Sequence, residues 1–191
     1  MGGGSSDAAT TLKGLIKLWG LPDERDRLYK LAATLGADVP ACLVRRPVWM
    51  EGAGEKMMRM PDMPDMHLVL VTPPVATPTP EVFKRFAQRA GGRYSAPIQF
   101  IGRRKTMREW IADLKLYRND LTDAAIEVSP DIRTALAAIA DTPNCHIARL
   151  SGSGATCFGI YDSAAAAHAA VNKLRSQHPR WWVKAAGLFK E

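Results

Sequence analysis

The stretch HIARLSGSGATCFGIY, residues 146–161, decides the fold of the second half of the chain. Its apolar runs His146–Leu150 and Ala155–Tyr161 flank four small residues, Ser151–Gly154, and this pattern predicts two antiparallel strands joined by a tight turn. A turn of this composition is sufficient for a plain hairpin, and it also lets a ligand or another loop approach the backbone closely. Ser151–Gly154 is therefore a candidate binding element as well as a connection.

Further strands and helices are predicted on both sides of this hairpin. A strand at His67–Thr72 precedes a helix at Pro80–Arg89, and a helix at Ser163–Gln177 precedes a strand at Trp181–Ala186. The order β-α-β-β-α-β is that of a ferredoxin-like domain. We therefore expect an α+β domain with one four-stranded sheet. Between its first two strands lie a basic, Gly-rich loop (91–104) and three extra helices (about 106–116, 121–128 and 130–140).

The beginning of the chain predicts two amphipathic helices. Apolar residues at i, i+3, i+4 and i+7 predict a helix from Ala8 that ends before Gly20, with Ser5, Ser6 or Asp7 as its cap. A second helix is predicted from about residue 23 to residue 35, where Gly36 follows it.

A short strand and a hairpin complete this first half. Val39–Val44 predicts a strand, and Val48–Met60, interrupted at Gly52-Ala53-Gly54, predicts a β-hairpin. Some sixty residues of this kind bury little surface without a partner. The turn-rich segment Met60–Asp65 predicts a boundary between two domains, at residues 1–62 and 63–191.

Composition and charge limit the classes of protein that the chain can belong to. Hydrophobic residues make up 47% and charged residues 24% of 191 residues, which excludes wholesale disorder. A net charge of +7 favours an anionic partner, such as a nucleotide, without choosing among such partners. The sequence has three widely spaced cysteines, which favour the reducing cytoplasm. It has neither a long apolar run nor a signal-peptide pattern, and this favours a soluble protein without a membrane partner.

The segment Gly2-Gly3-Gly4-Ser5-Ser6 leads directly into the first predicted helix. Glycines let the backbone approach an anion, the helix start adds a positive dipole, and serine hydroxyls bind phosphate or magnesium-bound water. The segment is thus a phosphate site in outline. A flexible tail is the competing interpretation, because the pattern matches neither the Walker nor the Rossmann fingerprint.

Asp38 lies in Gly36-Ala37-Asp38-Val39-Pro40, between a predicted helix and a predicted strand. In isolation such an acid is an ordinary turn residue. The same position suits a catalytic carboxylate that rigid neighbours hold in place.

Six segments extend over the whole chain and carry more information together than singly. They are Met1–Ala9, Gly36–Pro40, Gly52-Ala53-Gly54-Glu55, Thr79-Pro80-Glu81-Val82-Phe83, Asn119-Asp120-Leu121 and Ser151–Ala155. In this order they resemble the GHMP kinase superfamily, and within it the kinases that act on a cytidine-diphosphate-linked methylerythritol.

The resemblance implies an activity and a set of site residues. The activity is transfer of the γ-phosphoryl group of ATP to the 2-hydroxyl of the cytidine-diphosphate-linked methylerythritol, in the synthesis of isoprenoid precursors. Asp38 is implied as the catalytic residue, and magnesium is expected with ATP, although no residue is assigned as a metal ligand. The implied ATP-binding residues are Gly2, Gly3, Gly4, Ser5 and Ser6, and the implied substrate-binding residues are Thr79, Phe83, Gly152, Ser153 and Gly154.

The resemblance also predicts a missing part. In the family, about a third of the chain precedes the phosphate loop and carries a catalytic lysine, so residues 1–62 correspond to the C-terminal part of the ATP-binding domain. Loss of one such electrostatic partner costs about 10²–10³ in rate. We therefore expect a weak or inactive kinase, begun inside a longer gene.

Two alternatives to this kinase stay open at this point. One is another small-molecule kinase of the same superfamily. The other is a basic ferredoxin-like module that binds nucleic acid, because Cys157–Tyr161 faintly resembles an aromatic RNA-binding strand and Arg103, Arg104, Lys105 and Arg108 form a basic cluster. We favour no nucleic-acid partner, because the pattern lacks the second aromatic strand. The four histidines have no metal-ligand spacing.

Overall fold

A computed structural model describes residues 3–22, 24–44, 46–52, 54, 56–61, 63–90, 93–96, 98 and 106–188. The chain forms two compact units, Met1–Met63 (unit 1) and Pro64–Glu191 (unit 2). Each unit is described by itself. Among the helices of these residues, none is both long and apolar enough to cross a membrane.

Unit 1 contains three helices and a hairpin. The helices are α1 (Gly3–Trp19), α2 (Arg25–Leu35) and α3 (Val39–Val44), and the hairpin pairs β1 (Val48–Glu51) with β2 (Lys56–Arg59) in antiparallel register. A small core of buried Ala9, Ala32, Val39 and Leu43 holds the three helices together. The predicted hairpin is confirmed.

The start of α1 differs from the prediction. The helix begins at Gly3, five residues before the predicted Ala8, so Ser5, Ser6 and Asp7 lie within the helix and do not cap it. Periodicity could not detect this extension, because Gly-Gly-Ser-Ser adds no apolar residue to the stripe on which the helix was predicted. As predicted, α1 ends at Trp19, and Gly20 follows with a φ of 60°.

The predicted strand Val39–Val44 is wrong, because this segment forms helix α3. A short apolar run does not distinguish a buried strand from a buried helix, and Pro40 is acceptable in the first turn of a helix. Packing decides the outcome here: Val39, Pro40 and Leu43 are buried, at the i, i+1 and i+4 spacing of one helix face.

Unit 2 contains four strands and five helices in the described residues. In chain order they are β3 (His67–Thr72), α4 (Thr79–Ala90), α5 (Met107–Leu116), α6 (Thr122–Val128), α7 (Asp131–Ala140), β4 (Ile147–Leu150), β5 (Cys157–Tyr161), α8 (Ala164–Gln177) and β6 (Trp182–Gly187). The strands form one sheet in the order β4-β5-β3-β6, and all of its pairs are antiparallel. This confirms the ferredoxin-like α+β fold. Part of the predicted loop 91–104 lies outside the described residues.

The core of unit 2 lies between the sheet and its helices. Val69 and Val71 of β3 and Ile132 and Ile139 of α7 are fully buried in one large cluster. Tyr161, also fully buried, is hydrogen-bonded through its hydroxyl to Thr142 at 2.5 Å. Burial raises the pKa of this phenol, mainly by desolvation.

Candidate functional site

The first turn of α1 holds most of the predicted phosphate segment. Gly3, Gly4 and Ser6 are exposed, and Gly2 lies outside the described residues. Because the N–H groups of the first three helical residues have no partner within the helix, those of residues 3–5 are available to an anion. A Cβ atom at Gly3 or Gly4 would meet nothing within 4 Å. Contacts within unit 1 therefore do not require glycine there, whereas a closely approaching ligand would.

Asp38 lies exposed, next to the same small core that α1 contacts. Its carbonyl oxygen accepts a hydrogen bond from the Cys42 N–H at 3.2 Å, in the first turn of α3. Val39 shares its buried cluster with Ala9, which is one helical turn after Ser5. Both Ser5 and Asp38 therefore adjoin one buried cluster of unit 1.

The hairpin turn between β1 and β2 contacts the segment that precedes Asp38. Gly54 has a φ of 97°, and a Cβ atom there would lie 2.7 Å from the carbonyl oxygen of Ala37. Only glycine permits this approach of the β1–β2 turn to the residue before Asp38.

In unit 2, the start of α4 meets the turn between β4 and β5. The hydroxyls of Thr79 and Ser153 are 2.8 Å apart, although 74 residues separate them in the chain. Phe83 follows Thr79 by one helical turn, and 44% of its surface is exposed. The structure thus brings three of the predicted substrate-binding residues, Thr79, Phe83 and Ser153, to one region of unit 2.

The turn itself has two glycines with positive φ, Gly152 at 55° and Gly154 at 95°. A Cβ atom at Gly154 would lie 3.1 Å from the Ile132 side chain and 3.2 Å from that of Leu150, whereas one at Gly152 would meet nothing within 4 Å. Gly154 therefore packs the turn onto the core, while Gly152 leaves open space at its outer side.

Asn119 fixes the turn, a role that the sequence analysis did not assign to it. Its Nδ2 donates hydrogen bonds to the carbonyl oxygens of Gly152 at 2.7 Å and Leu150 at 3.1 Å. Its Oδ1 accepts a hydrogen bond from the Leu121 N–H at 3.0 Å, at the start of α6. Asn119 was quoted in the sequence as part of a helix start, and the side chain does help to form that start as well.

The next residue along the chain belongs to a polar cluster. Asp120 accepts hydrogen bonds from the backbone N–H and the hydroxyl of Ser95, and its carboxylate lies 3.0 Å from Nε of Arg118. Burial opposes ionisation of Asp120, but the Ser95 hydrogen bonds and the charge of Arg118 outweigh it, so the pKa of this carboxyl is lowered. The cluster holds the segment 118–120 at the edge of the turn.

The described residues contain no group of three or more His, Cys, Asp or Glu side chains that could hold a metal ion. The predicted residues fall into two groups, Gly3–Ser6 with Asp38 in unit 1, and Thr79, Phe83 and Gly152–Gly154 in unit 2. The motifs of the sequence also lead us to expect that these two groups meet in one cleft, and because this involves both units it stays a prediction.

Comparison with known proteins connects both units to one family. The family model described as GHMP kinases N terminal domain matches residues 1–46, and the one described as GHMP kinases C terminal matches residues 99–180. The 4-diphosphocytidyl-2-C-methyl-D-erythritol kinase of Paramagnetospirillum magneticum is 44% identical over 99% of this chain, which covers 65% of that protein. The Rhizobium meliloti protein of the same name is 40% identical over 97% of the chain, covering 60% of that protein.

Two solved structures are similar to the chain. A crystal structure of 4-(cytidine 5'-diphospho)-2C-methyl-D-erythritol kinase matches with a TM-score of 0.73 and 29% identity, over 96% of this chain and 65% of the other. Homoserine kinase from Cytophaga hutchinsonii matches with a TM-score of 0.70 over 98% of this chain and 64% of the other, but at 13% identity it shows the fold alone. This chain spans roughly three fifths to two thirds of the length of these relatives. By its sequence and its fold, the chain belongs to the GHMP kinase family.

Proposed function

We propose that this chain is part of an ATP-dependent kinase that phosphorylates the 2-hydroxyl of 4-diphosphocytidyl-2-C-methyl-D-erythritol in the cytoplasm. The observation that carries the proposal is 44% identity, over 99% of the chain, to a relative named for that activity. Residues 1–62 would be the C-terminal part of the ATP-binding domain, and residues 63–191 the C-terminal domain of the kinase.

In unit 1 we assign phosphate binding to Gly2–Ser6 and catalysis to Asp38. The exposed N–H groups at the start of α1 are suited to the phosphates of ATP, since charge neutralisation and positioning dominate phosphoryl transfer. The substrate hydroxyl oxygen would form a bond to the γ-phosphorus while the bond from that phosphorus to the β–γ bridging oxygen breaks and ADP leaves. Asp38 would accept or orient the hydroxyl proton.

Magnesium would arrive with the ATP phosphates, which is its usual mode of binding in kinases and supplies charge neutralisation. No side chain is assigned to it.

In unit 2 we assign substrate binding to Thr79, Phe83 and Gly152–Gly154. The exposed ring of Phe83 is a suitable stacking surface for cytosine. The open space beside Gly152 admits a ligand to the backbone of the turn. Asn119 would act as a positioning residue, because it holds the turn without taking part in the chemistry.

The nucleic-acid alternative gains no support from the structure. Tyr161, one of the aromatic residues on the strand that suggested it, is fully buried and bonded to Thr142, so it has no face to offer to a base.

The test is a phosphorylation assay with ATP and the cytidine-linked substrate. It compares this chain with a chimera in which the Paramagnetospirillum magneticum relative supplies the remaining third. We expect the chimera to be at least about 100-fold faster, since a restored electrostatic partner is worth that much. Asp38→Asn should abolish activity of the chimera, whereas Asp26→Asn, which changes an exposed acid of α2, should not. Equal rates for the two variants would overturn the assignment of Asp38, and a chimera that phosphorylates another alcohol but not this substrate would overturn the substrate.

A further inference from the structure

A polar cavity of about 500 Å³ lies in unit 2, and neither Thr79 nor Ser153 belongs to its wall. It is near the C-terminal end of α4, and about ten residues of helix, or roughly 15 Å, separate Thr79 from Arg89 in its wall. Its volume is within the usual range for small-molecule sites. The charged residues that line it are Arg89, Arg93, Arg118, Arg149, Asp120 and Asp123.

The two carboxylates of the cavity are already paired. Asp120 lies 3.0 Å from Arg118, and Asp123 lies 3.2 Å from Arg89, which also pairs with Glu127. The wall therefore contains four guanidinium groups and two carboxylates. Because each carboxylate is already paired with one of these guanidinium groups, a net positive charge remains in the wall.

Arg149 carries much of this uncompensated charge. Its side chain is half-buried in strand β4, two residues before the Ser151–Gly154 turn, and its Nη2 donates to the carbonyl oxygen of Leu114 at 2.9 Å. Within the described ranges, no carboxylate lies within ion-pair distance of this guanidinium. Desolvation lowers the pKa of Arg149, although an arginine stays charged at neutral pH. A desolvated cation without a counter-ion is costly, and an anion in the cavity would offset that cost.

Arg93 supplies a second free guanidinium at the rim. It is exposed and, in the part of the chain that the structure describes, it has neither an ion pair nor a hydrogen bond. Two arginines in one cavity, one half-buried and one at the rim, are suited to the several oxygens of a phosphate group.

We propose that this cavity binds a small molecule through a phosphate or diphosphate group, with Arg149 as the inner contact and Arg93 at the rim. The site does not depend on the proposed kinase activity, and its wall contains none of the residues assigned to phosphate binding, catalysis or substrate contact. Asn119 and Leu150 belong to its wall, so an occupant touches the residues that fix the Ser151–Gly154 turn.

The test is a titration of the whole chain with inorganic diphosphate and, separately, inorganic phosphate, followed by amide NMR shifts and calorimetry. We expect shifts at residues 118–123 and 148–150. Arg149→Met should weaken diphosphate binding at this site about tenfold or more, as expected for a buried charge contact, and Arg93→Met by about threefold, as expected for one at the rim. Arg133→Met, an exposed arginine of α7 outside the cavity, is the matched control and should not change the affinity.

If Arg149→Met fails to fold, Arg93→Met still tests the proposal, because Arg93 is exposed and its replacement should not disturb the fold. Tighter binding of diphosphate than of phosphate would indicate a diphosphate ligand, and the reverse a single phosphate group. The proposal is overturned if neither anion shifts the amides of the cavity at about 10 mM, because binding that escapes detection there is weaker than the millimolar limit of useful affinity. It is also overturned if Arg149→Met and Arg93→Met bind the anions as Arg133→Met does.

Discussion

The two units differ in how much of their apolar surface they bury. Among the residues that the structure describes, the main buried cluster of unit 2 contains 18 residues, whereas that of unit 1 contains four, two of them alanines. Unit 1 also leaves large apolar side chains exposed: Leu18 is 75%, Trp19 63% and Leu35 55% exposed. Because burial of apolar area is the main favourable contribution to folding, unit 2 should account for most of the stability of the chain.

The two halves of the candidate site also differ in the size of the buried core that supports them. The turn Ser151–Gly154 is attached to a large core through Gly154 and Asn119, while Asp38 and the start of α1 adjoin a core of four small or medium-sized side chains. Precise positioning of groups requires rigid support. We therefore expect the substrate half of the site to be rigid in isolation and the phosphate half to need additional contacts.

The largest expected effect follows from separating the units. A fragment of residues 64–191 should unfold in one cooperative step, because it retains the whole main cluster, and a fragment of residues 1–63 should lack a cooperative transition. Urea titrations followed by near-ultraviolet circular dichroism would measure this. A sharp transition in the shorter fragment would contradict the comparison.

The addition of a single methyl group at Gly159 should have the next largest effect on stability. Gly159 lies in β5, and a Cβ atom there would be 2.6 Å from the Ile139 side chain and 3.0 Å from that of Tyr161. Gly159→Ala should lower the free energy of unfolding of unit 2 by about 1–3 kcal/mol through overpacking. The measurement is the denaturation midpoint.

The matched control for this substitution is Gly14→Ala in α1 of unit 1. A Cβ atom at Gly14 meets nothing within 4 Å, so the change should add about 0.5–1 kcal/mol to helix stability. If both variants lose stability equally, the contrast between the packed and the open unit is wrong.

Loss of the Asn119 side chain should have a smaller and local effect. Asn119→Ala leaves the carbonyl oxygens of Gly152 and Leu150 without this donor and should destabilise the turn by about 1 kcal/mol. Hydrogen exchange should accelerate at the turn amides and not in β3. Asn172→Ala, at an exposed position of α8, is the control, and exchange that is unchanged in both variants would argue against a positioning role.

The smallest expected effect is a dependence on pH at Asp120. Its pKa is lowered in the folded state from the ordinary value of 3.8, so this carboxylate contributes stability above that pH. The contribution is lost as the pH falls through the lowered pKa, because the folded state then takes up the proton as well. Urea midpoints of the wild type and Asp120→Asn should therefore differ at pH 6 and converge below pH 3.8. A constant difference would show that the charge is not the cause.

The sequence predicted the features of the fold that depend on local pattern. Alternating and periodic apolar residues located all four strands of unit 2, and the β-α-β-β-α-β order was enough for the sheet topology. The segment Val39–Val44 was mispredicted because six apolar residues do not define a period, and only packing against α1 and α2 made it a helix.

The candidate site was predictable in part. The motifs identified Thr79 and Ser153 separately, and the structure shows that their hydroxyls meet. Asn119 and Arg149 could not have been assigned roles, because those roles arise from contacts across more than 30 residues. The sequence did show a single arginine in the apolar run His146–Leu150. The sequence pattern alone, however, does not indicate which groups surround its guanidinium.

The place of β3 in the middle of its sheet has a consequence for the order in which the protein folds during synthesis. His67 is opposite Tyr161 on one side and Gly187 on the other, so both neighbours of this early strand are made long after it. Until they leave the ribosome, the apolar face of β3 and the helix α4 have no sheet to pack on, and such exposed segments are the ones that aggregate. The sheet of unit 2 is therefore completed only after β5 and β6 have been made, roughly ninety residues or more after β3, and the main core stays incomplete until then.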